Sequence, residues 1–152
     1  MSRDVLLNYT TTIDPMKSVG EITGLLVAHH ATNTNVGWED GAPVRLIFSL
    51  MVNGRELGFA LPSNVAAVEE RLQRDYEQGR IPPRYTGTAQ ASRVAWRILK
   101  DWVSAQIAII ETGMVRPEEA FLPYMLTGDG PETLYMQMQQ RMFALPAPKE
   151  RL

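Results

Sequence analysis

The residues with the clearest chemical potential are basic and aromatic. Arg84 and Tyr85 precede a long helical pattern, Thr86 and Thr88 lie at its expected start, and Arg93 and Arg97 follow one turn apart. A helix N-terminus presents free amides and a partial positive charge, so it favours an anionic group. Arginine adds bidentate hydrogen bonds to phosphate or carboxylate. Tyr85 and Trp96 offer flat rings for stacking on a base. Arg84, Tyr85, Arg93, Trp96 and Arg97 are therefore the candidate ligand-binding set, for a small anionic ligand such as a nucleotide. The competing reading is a solvated stripe that keeps a buried helix soluble, with Asp101 paired to Arg97.

The other candidates carry less chemistry. His29 and His30 are the chain's two histidines. Adjacent helical residues point about 100° apart and do not jointly chelate one metal. No further histidine exists to complete a zinc site. Glu39-Asp40, Glu69-Glu70 and Glu118-Glu119 are adjacent pairs, and the last sits where a helix dipole favours acids. Gly128-Asp-Gly130 reads as a turn. There is no phosphate-binding glycine loop, dinucleotide fingerprint, nucleophile elbow or EF-hand. No catalytic residue, cofactor or metal is expected. Met125, Met136, Met138 and Met142 are adaptable side chains that suit core filling or a subunit interface.

These residues need elements to position them. Tyr9-Thr-Thr-Thr-Ile13 reads as a short strand ended by Asp14-Pro15. Ser18-Val-Gly-Glu21 has capping-box spacing for a helix reaching about Ala31. Thr34 to Trp38, with Thr34, Val36 and Trp38 on one side, and Val44 to Val52 read as strands around a turn. Asn53-Gly54 then predicts a two-residue hairpin. That register pairs Val52 with Arg55, Leu50 with Leu57, Phe48 with Phe59 and Leu46 with Leu61. Ser63 or Asn64 caps a helix to about Gln78, stopped by Gly79. Thr86 or Thr88 caps a long helix to about Thr112. Short helices follow from Arg116 to about Leu126 and from Glu132 to Phe143. The expected fold is α+β: an N-terminal β-α-β-β-β unit forming an antiparallel-rich sheet, with a helical C-terminal half packed on it. Residues 1–143 form a single domain and 144–152 a loose C-terminal tail.

On a helical wheel Arg93, Arg97, Lys100, Asp101, Ser104 and Glu111 form a polar stripe roughly 100° wide, leaving an apolar arc of about 220°. So wide an arc needs cover on two sides. The sheet is one cover; the terminal helices or a second subunit are the other. A homo-oligomer, a dimer first, is expected on this ground. Trp102 lies mid-arc as a core anchor. Trp96 lies beside the basic stripe, either at the edge of the core or as one wall of a binding site.

Composition narrows the classes. The chain has 152 residues, 45% hydrophobic and 21% charged, which fits an ordinary globular domain rather than a disordered or low-complexity one. Lys plus Arg is 15 against 17 for Asp plus Glu, so the chain is no general nucleic-acid coat. The absence of cysteine excludes a disulfide scaffold and thiolate chemistry. The N-terminus lacks the apolar region of a signal peptide, and no apolar run approaches the roughly 18 residues of a membrane span.

Three stretches carry a resemblance. They are Asn8-Tyr-Thr-Thr-Thr-Ile13 through Glu21-Ile22, then Arg84-Tyr85, then Arg93-Val-Ala-Trp-Arg-Ile-Leu-Lys-Asp-Trp102 with Phe121-Leu-Pro-Tyr-Met125. Over nearly its whole length the chain resembles a family of small tailed-bacteriophage and prophage proteins that has no assigned function. The resemblance implies a viral protein acting in the host bacterial cytoplasm, with no membrane partner. Phage proteins of this kind bind host factors, act beside replication or recombination machinery, or neutralise defence. The leading expectation is a homo-oligomer that sequesters a phosphate-bearing ligand such as a nucleotide immune signal. The alternatives are a nucleic-acid-associated accessory protein using the same face, or a protein-binding inhibitor of a host enzyme using the methionine-rich end.

Overall fold

The computed structural model describes residues 4–144. Asp14-Pro15 is a helix start, not a strand end. Asp14 Oδ1 accepts from the Met16 amide at 2.8 Å, and Pro15 takes the first helical position, where a missing N–H costs nothing. The resulting helix, α1, spans Pro15–Ala28. Ser18 and Glu21 therefore lie inside it, and the capping box expected of them does not form. The chain leaves the helix at His29, with His30 in the left-handed region at φ 80°.

Three antiparallel strands follow in the order β1 (Asn33–Glu39), β2 (Ala42–Val52) and β3 (Arg55–Ala60). Both hairpins close through left-handed residue pairs, Asp40-Gly41 (φ 51° and 78°) and Asn53-Gly54 (φ 52° and 80°). Such turns match the twist of the strands they join. The second hairpin has the register expected: Val52 opposite Arg55, Leu50 opposite Leu57 and Phe48 opposite Phe59. The Leu61 amide extends it by donating to the Leu46 carbonyl at 2.9 Å. In β1 the register shifts between Gly37 and Trp38. Thr34 and Val36 are half-buried, whereas Trp38, expected to share their side, is 55% exposed.

Helix α2 (Val65–Glu77) starts at Asn64, whose side chain accepts from the Ala67 amide at 3.0 Å. It ends in a Schellman turn: the Gly79 amide reaches the Tyr76 carbonyl and the Arg80 amide the Asp75 carbonyl, with Gly79 at φ 75°. The long helix, α3, covers Thr88–Glu111. Gly87 at φ 96° is its cap, and neither Thr86 nor Thr88 supplies a capping bond.

The apolar surface of α3 is covered within the chain. Trp96, Leu99, Val103 and Ile107 join Val19, Ile22 and Leu26 of α1 and the inner face of the sheet in one cluster. There Phe48 stacks on Phe59 at 5.3 Å, and Phe121 sets its edge on Phe48 at 5.1 Å. Ala91 and Val94 join Leu72 of α2 and Ile81 in a second cluster. The second cover of the wide arc is thus α1 and α2, so the arc does not require another subunit. Trp96 is wholly buried and Trp102 only partly, the reverse of their order on the wheel.

Residues 9–13, expected as a first strand, form none, and the fold opens on a helix. The chain turns at Asn8 (φ 64°) and lies against α3, whose polar groups take its backbone. Gln90 Nε2 donates to the carbonyls of Tyr9 at 2.8 Å and Thr11 at 3.0 Å. A segment whose carbonyls bond side chains has less to offer a sheet ladder. The α+β class stands, with an α-β-β-β beginning rather than β-α-β-β-β.

The C-terminal part is less helical than expected. It comprises α4 (Pro117–Ala120), a 3₁₀ turn over Leu122–Tyr124 and α5 (Leu134–Gln140), capped by Thr133. Left-handed Met142 and Phe143 follow α5. Residues 125–134 double back on the sheet: the Leu126 amide donates to the Gly58 carbonyl at 2.8 Å, and the Leu134 amide to the Met125 carbonyl at 2.8 Å. Of the expected tail, residues 145–152 lie outside the described residues. No helix among the described residues is long and apolar enough to cross a membrane.

Candidate functional site

The basic stripe of α3 is a seam inside the chain. Arg97 Nη1 lies 2.9 Å from Glu21 Oε1 and 3.4 Å from Ser18 Oγ, both on α1, and its side chain is 15% exposed. Arg93 Nε donates to Gln90 Oε1 at 2.9 Å, which orients the amide that holds Tyr9 and Thr11. Asp101 accepts from Asn8 Nδ2 at 2.8 Å rather than pairing with Arg97. Trp96 is fully buried and donates through Nε1 to the Pro43 carbonyl at 3.0 Å, so its faces are not open to a ligand. Tyr85 meets Tyr9 edge-to-face at 5.3 Å, and the exposed Arg84 lies 4.7 Å from the Tyr85 ring centre. At the start of α3, Glu69 accepts from the Thr88 hydroxyl at 3.0 Å. The groove there is lined by Glu69, Glu70 and Glu77 against the single cation Arg74, a net negative field that disfavours an anion. The structure thus keeps Arg84 with Tyr85 at one end, turns Arg93 and Arg97 into packing, and buries Trp96.

Arg97→Ala should then lower stability by about 1.5–3 kcal/mol, the range for a hydrogen bond to a charged group, while exposed Arg84→Ala stays within about 0.5 kcal/mol. Urea unfolding of the two variants checks this. Equal midpoints would mean that the Arg97 bridge holds nothing.

The two histidines part company. His29 Nδ1 lies 2.9 Å from the Leu25 carbonyl and Nε2 2.8 Å from Glu111 Oε2. Both partners are acceptors, so the ring satisfies them together only when doubly protonated. The Leu25 carbonyl first, and Glu111 second, hold its pKa above the ordinary 6.5. A folded pKa raised above the unfolded one adds stability that is whole below about pH 6.5 and is lost as pH rises through the folded value. The stability difference between wild type and His29→Gln should be larger at about pH 5.5 than at about pH 9. An equal difference at both would remove the ion pair from the account. Glu118 and Glu119 are engaged by Arg116, at 2.6 Å from its Nε and 3.2 Å from its amide. Among the described residues, no group of three or more His, Asp or Glu could hold a metal ion.

A different surface has the form of a ligand site. Residues 125–134 and α5 stand off the end of the sheet and leave a cleft of about 610 Å³. Its floor includes Val44, Ala60 and Leu61, and Tyr124, Tyr135 and Met136 lie along it. Arg45, Ser63 and Asn64, the cap of α2, add polar groups. Ser63 Oγ donates to the Val44 carbonyl, tying the start of α2 to the sheet. Tyr124 is braced edge-on by Trp102 at 5.5 Å, and Tyr135 leans on Phe143 at 5.8 Å. Arg45 is exposed and has no hydrogen bond or ion pair among the described residues. An arginine at the edge of a tyrosine-lined cleft with an apolar floor suits a ligand with a flat body and an anionic end.

Comparison with family models, with curated proteins and with solved structures returns nothing similar.

The sequence reading missed Arg45, Tyr124 and Tyr135. Arg45 sits at an outward position of an alternating strand, where arginine is unremarkable. The tyrosines reach the cleft only because residues 125–134 fold back on β3, and no local pattern announces that. Asp75 was missed as well. It is fully buried at the end of α2, held by Arg71 and Arg80.

Proposed function

We propose that the protein is a binding module for a small ligand that joins a flat ring to an anionic group, with a nucleotide as the representative case. The observation that carries this reading is Arg45, without a hydrogen bond or ion pair among the described residues, at a tyrosine-lined apolar cleft. The first turn of α2 supports it, since its leading amides have no partner within the helix. In the host bacterial cytoplasm, the setting implied by the phage resemblance, such a module would act by sequestering a nucleotide signal. A homo-oligomer remains part of the proposal, supported now by exposed apolar groups near the cleft: Tyr135 is 47%, Met136 46% and Phe143 54% exposed.

The same exposed side chains favour one second reading, a protein-binding inhibitor that uses this end of the molecule. The nucleic-acid reading has less support, because Arg97 is engaged by Glu21 and Ser18 of α1 and Arg93 by Gln90.

Calorimetric titration with adenosine monophosphate, adenosine and inorganic phosphate tests the ligand reading. Adenosine monophosphate should bind best. Arg45→Ala should weaken it about ten- to a hundredfold, the equivalent of one charge-assisted contact. Arg84→Ala should leave it unchanged. Absence of binding by all three probes would turn the assignment towards the protein-binding reading.

A further inference from the structure

Gly37 is buried although β1 is an edge strand, and its cover is the side chain of Arg45 directly opposite on β2. A Cβ built on Gly37 would stand 2.4 Å from Arg45 Nη2 and 2.6 Å from Cζ, closer than atoms pack. Gly37 does not have a positive φ, so its backbone conformation does not demand glycine. The guanidinium does. Its seat lies on the β1 side of the central strand β2, whereas Ala60 and Leu61 of the cleft floor lie on the β3 side, with Val44 and Arg45 of β2 lining the cleft between them. The guanidinium therefore rests over Gly37 at the edge of the cleft, with no polar partner among the described residues to hold it there.

We infer that Gly37 is a positioning residue: it seats the Arg45 guanidinium at the β1 edge of the cleft, and an anionic ligand draws that guanidinium off the seat and over the cleft floor. This rests on the ligand reading of the cleft. The seat sets affinity, because a conformer that must leave a favoured position binds more weakly by the fraction of time it is free. Filling the seat with a methyl group removes the resting position. The backbone at Gly37 accepts alanine, and the group displaced is the far end of a flexible side chain.

The test compares adenosine monophosphate binding by wild type, Gly37→Ala, Arg45→Ala and the double variant. Gly37→Ala should tighten binding about three- to tenfold, and the double variant should bind as weakly as Arg45→Ala alone. Unchanged or weaker binding by Gly37→Ala, with Arg45→Ala still impaired, overturns the seat and leaves the cleft reading standing. An Arg45→Ala variant that binds like wild type overturns the cleft reading itself. A second measurement needs no substitution at Gly37. In the wild-type protein, the nuclear Overhauser contact between the Arg45 side chain and the Gly37 α-protons should be strong without ligand and fade at saturation with adenosine monophosphate. A contact that persists at saturation overturns the proposal.

Discussion

Asp75→Ala should lower the unfolding free energy by about 3 kcal/mol, near the bottom of the range for breaking a buried ion pair. The carboxylate is wholly buried and receives Arg71 Nε at 3.1 and 3.0 Å and Arg80 Nη1 at 2.9 Å. Arg71 also donates to the Asp4 carbonyl at 3.3 Å, and the Arg80 amide closes the Schellman turn on the Asp75 carbonyl. One side chain thus joins α2, the connector to α3 and the N-terminal segment. The loss falls short of the top of the range because the two arginine side chains are 32% and 31% exposed, so their guanidiniums can regain water when the carboxylate goes. Arg80→Ala should cost less than Asp75→Ala, since Arg71 continues to hold the carboxylate with two bonds. Urea midpoints of the two variants decide the point. A midpoint for Asp75→Ala within error of wild type would show that the cluster carries no stability.

Trp96→Ala should cost more, about 3–5 kcal/mol for the emptied core volume, with about 1–3 kcal/mol added for the orphaned Pro43 carbonyl. Trp96→Phe separates the two parts: it keeps most of the volume and loses only the bond from Nε1. Trp102→Ala is the comparison. Trp102 is partly exposed and packs edge-on against Phe121 and Tyr124, so its removal should cost less than that of Trp96. The reverse order in thermal melts would restore Trp102 as the anchor of the core.

That pair shows how far a wheel carries. Angles along a helix say which residues share a face, not what stands opposite. Trp96 lay at the edge of the apolar arc, yet that edge meets Pro43 at the end of the sheet, where its indole N–H finds a carbonyl. The second hairpin was legible because Asn53-Gly54 fixes the turn and the turn fixes every pair beyond it. The start of α1 was readable too, but Ser18 and Glu21 matched a capping box and masked the simpler signal of Asp14 followed by proline. Residues 9–13 have strand-like composition, and only their neighbour decides against it. Gln90, far along the chain, takes the carbonyls that a strand would have used. The candidate site was the least legible part. Five residues clustered in sequence proved to be three structural pieces, while Arg45, Tyr124 and Tyr135 meet through tertiary folding alone.

The central claim is that the cleft beside Arg45, and not the arginine stripe of α3, receives the ligand. Titration of isotope-labelled protein with adenosine monophosphate, followed by amide and arginine side-chain shifts, tests it most directly. The account predicts saturable shifts at Arg45, Ser63, Asn64, Tyr124, Tyr135 and Met136, with Arg84, Arg93 and Arg97 unmoved. Shifts centred on Arg93 and Arg97, with the cleft silent, would contradict it.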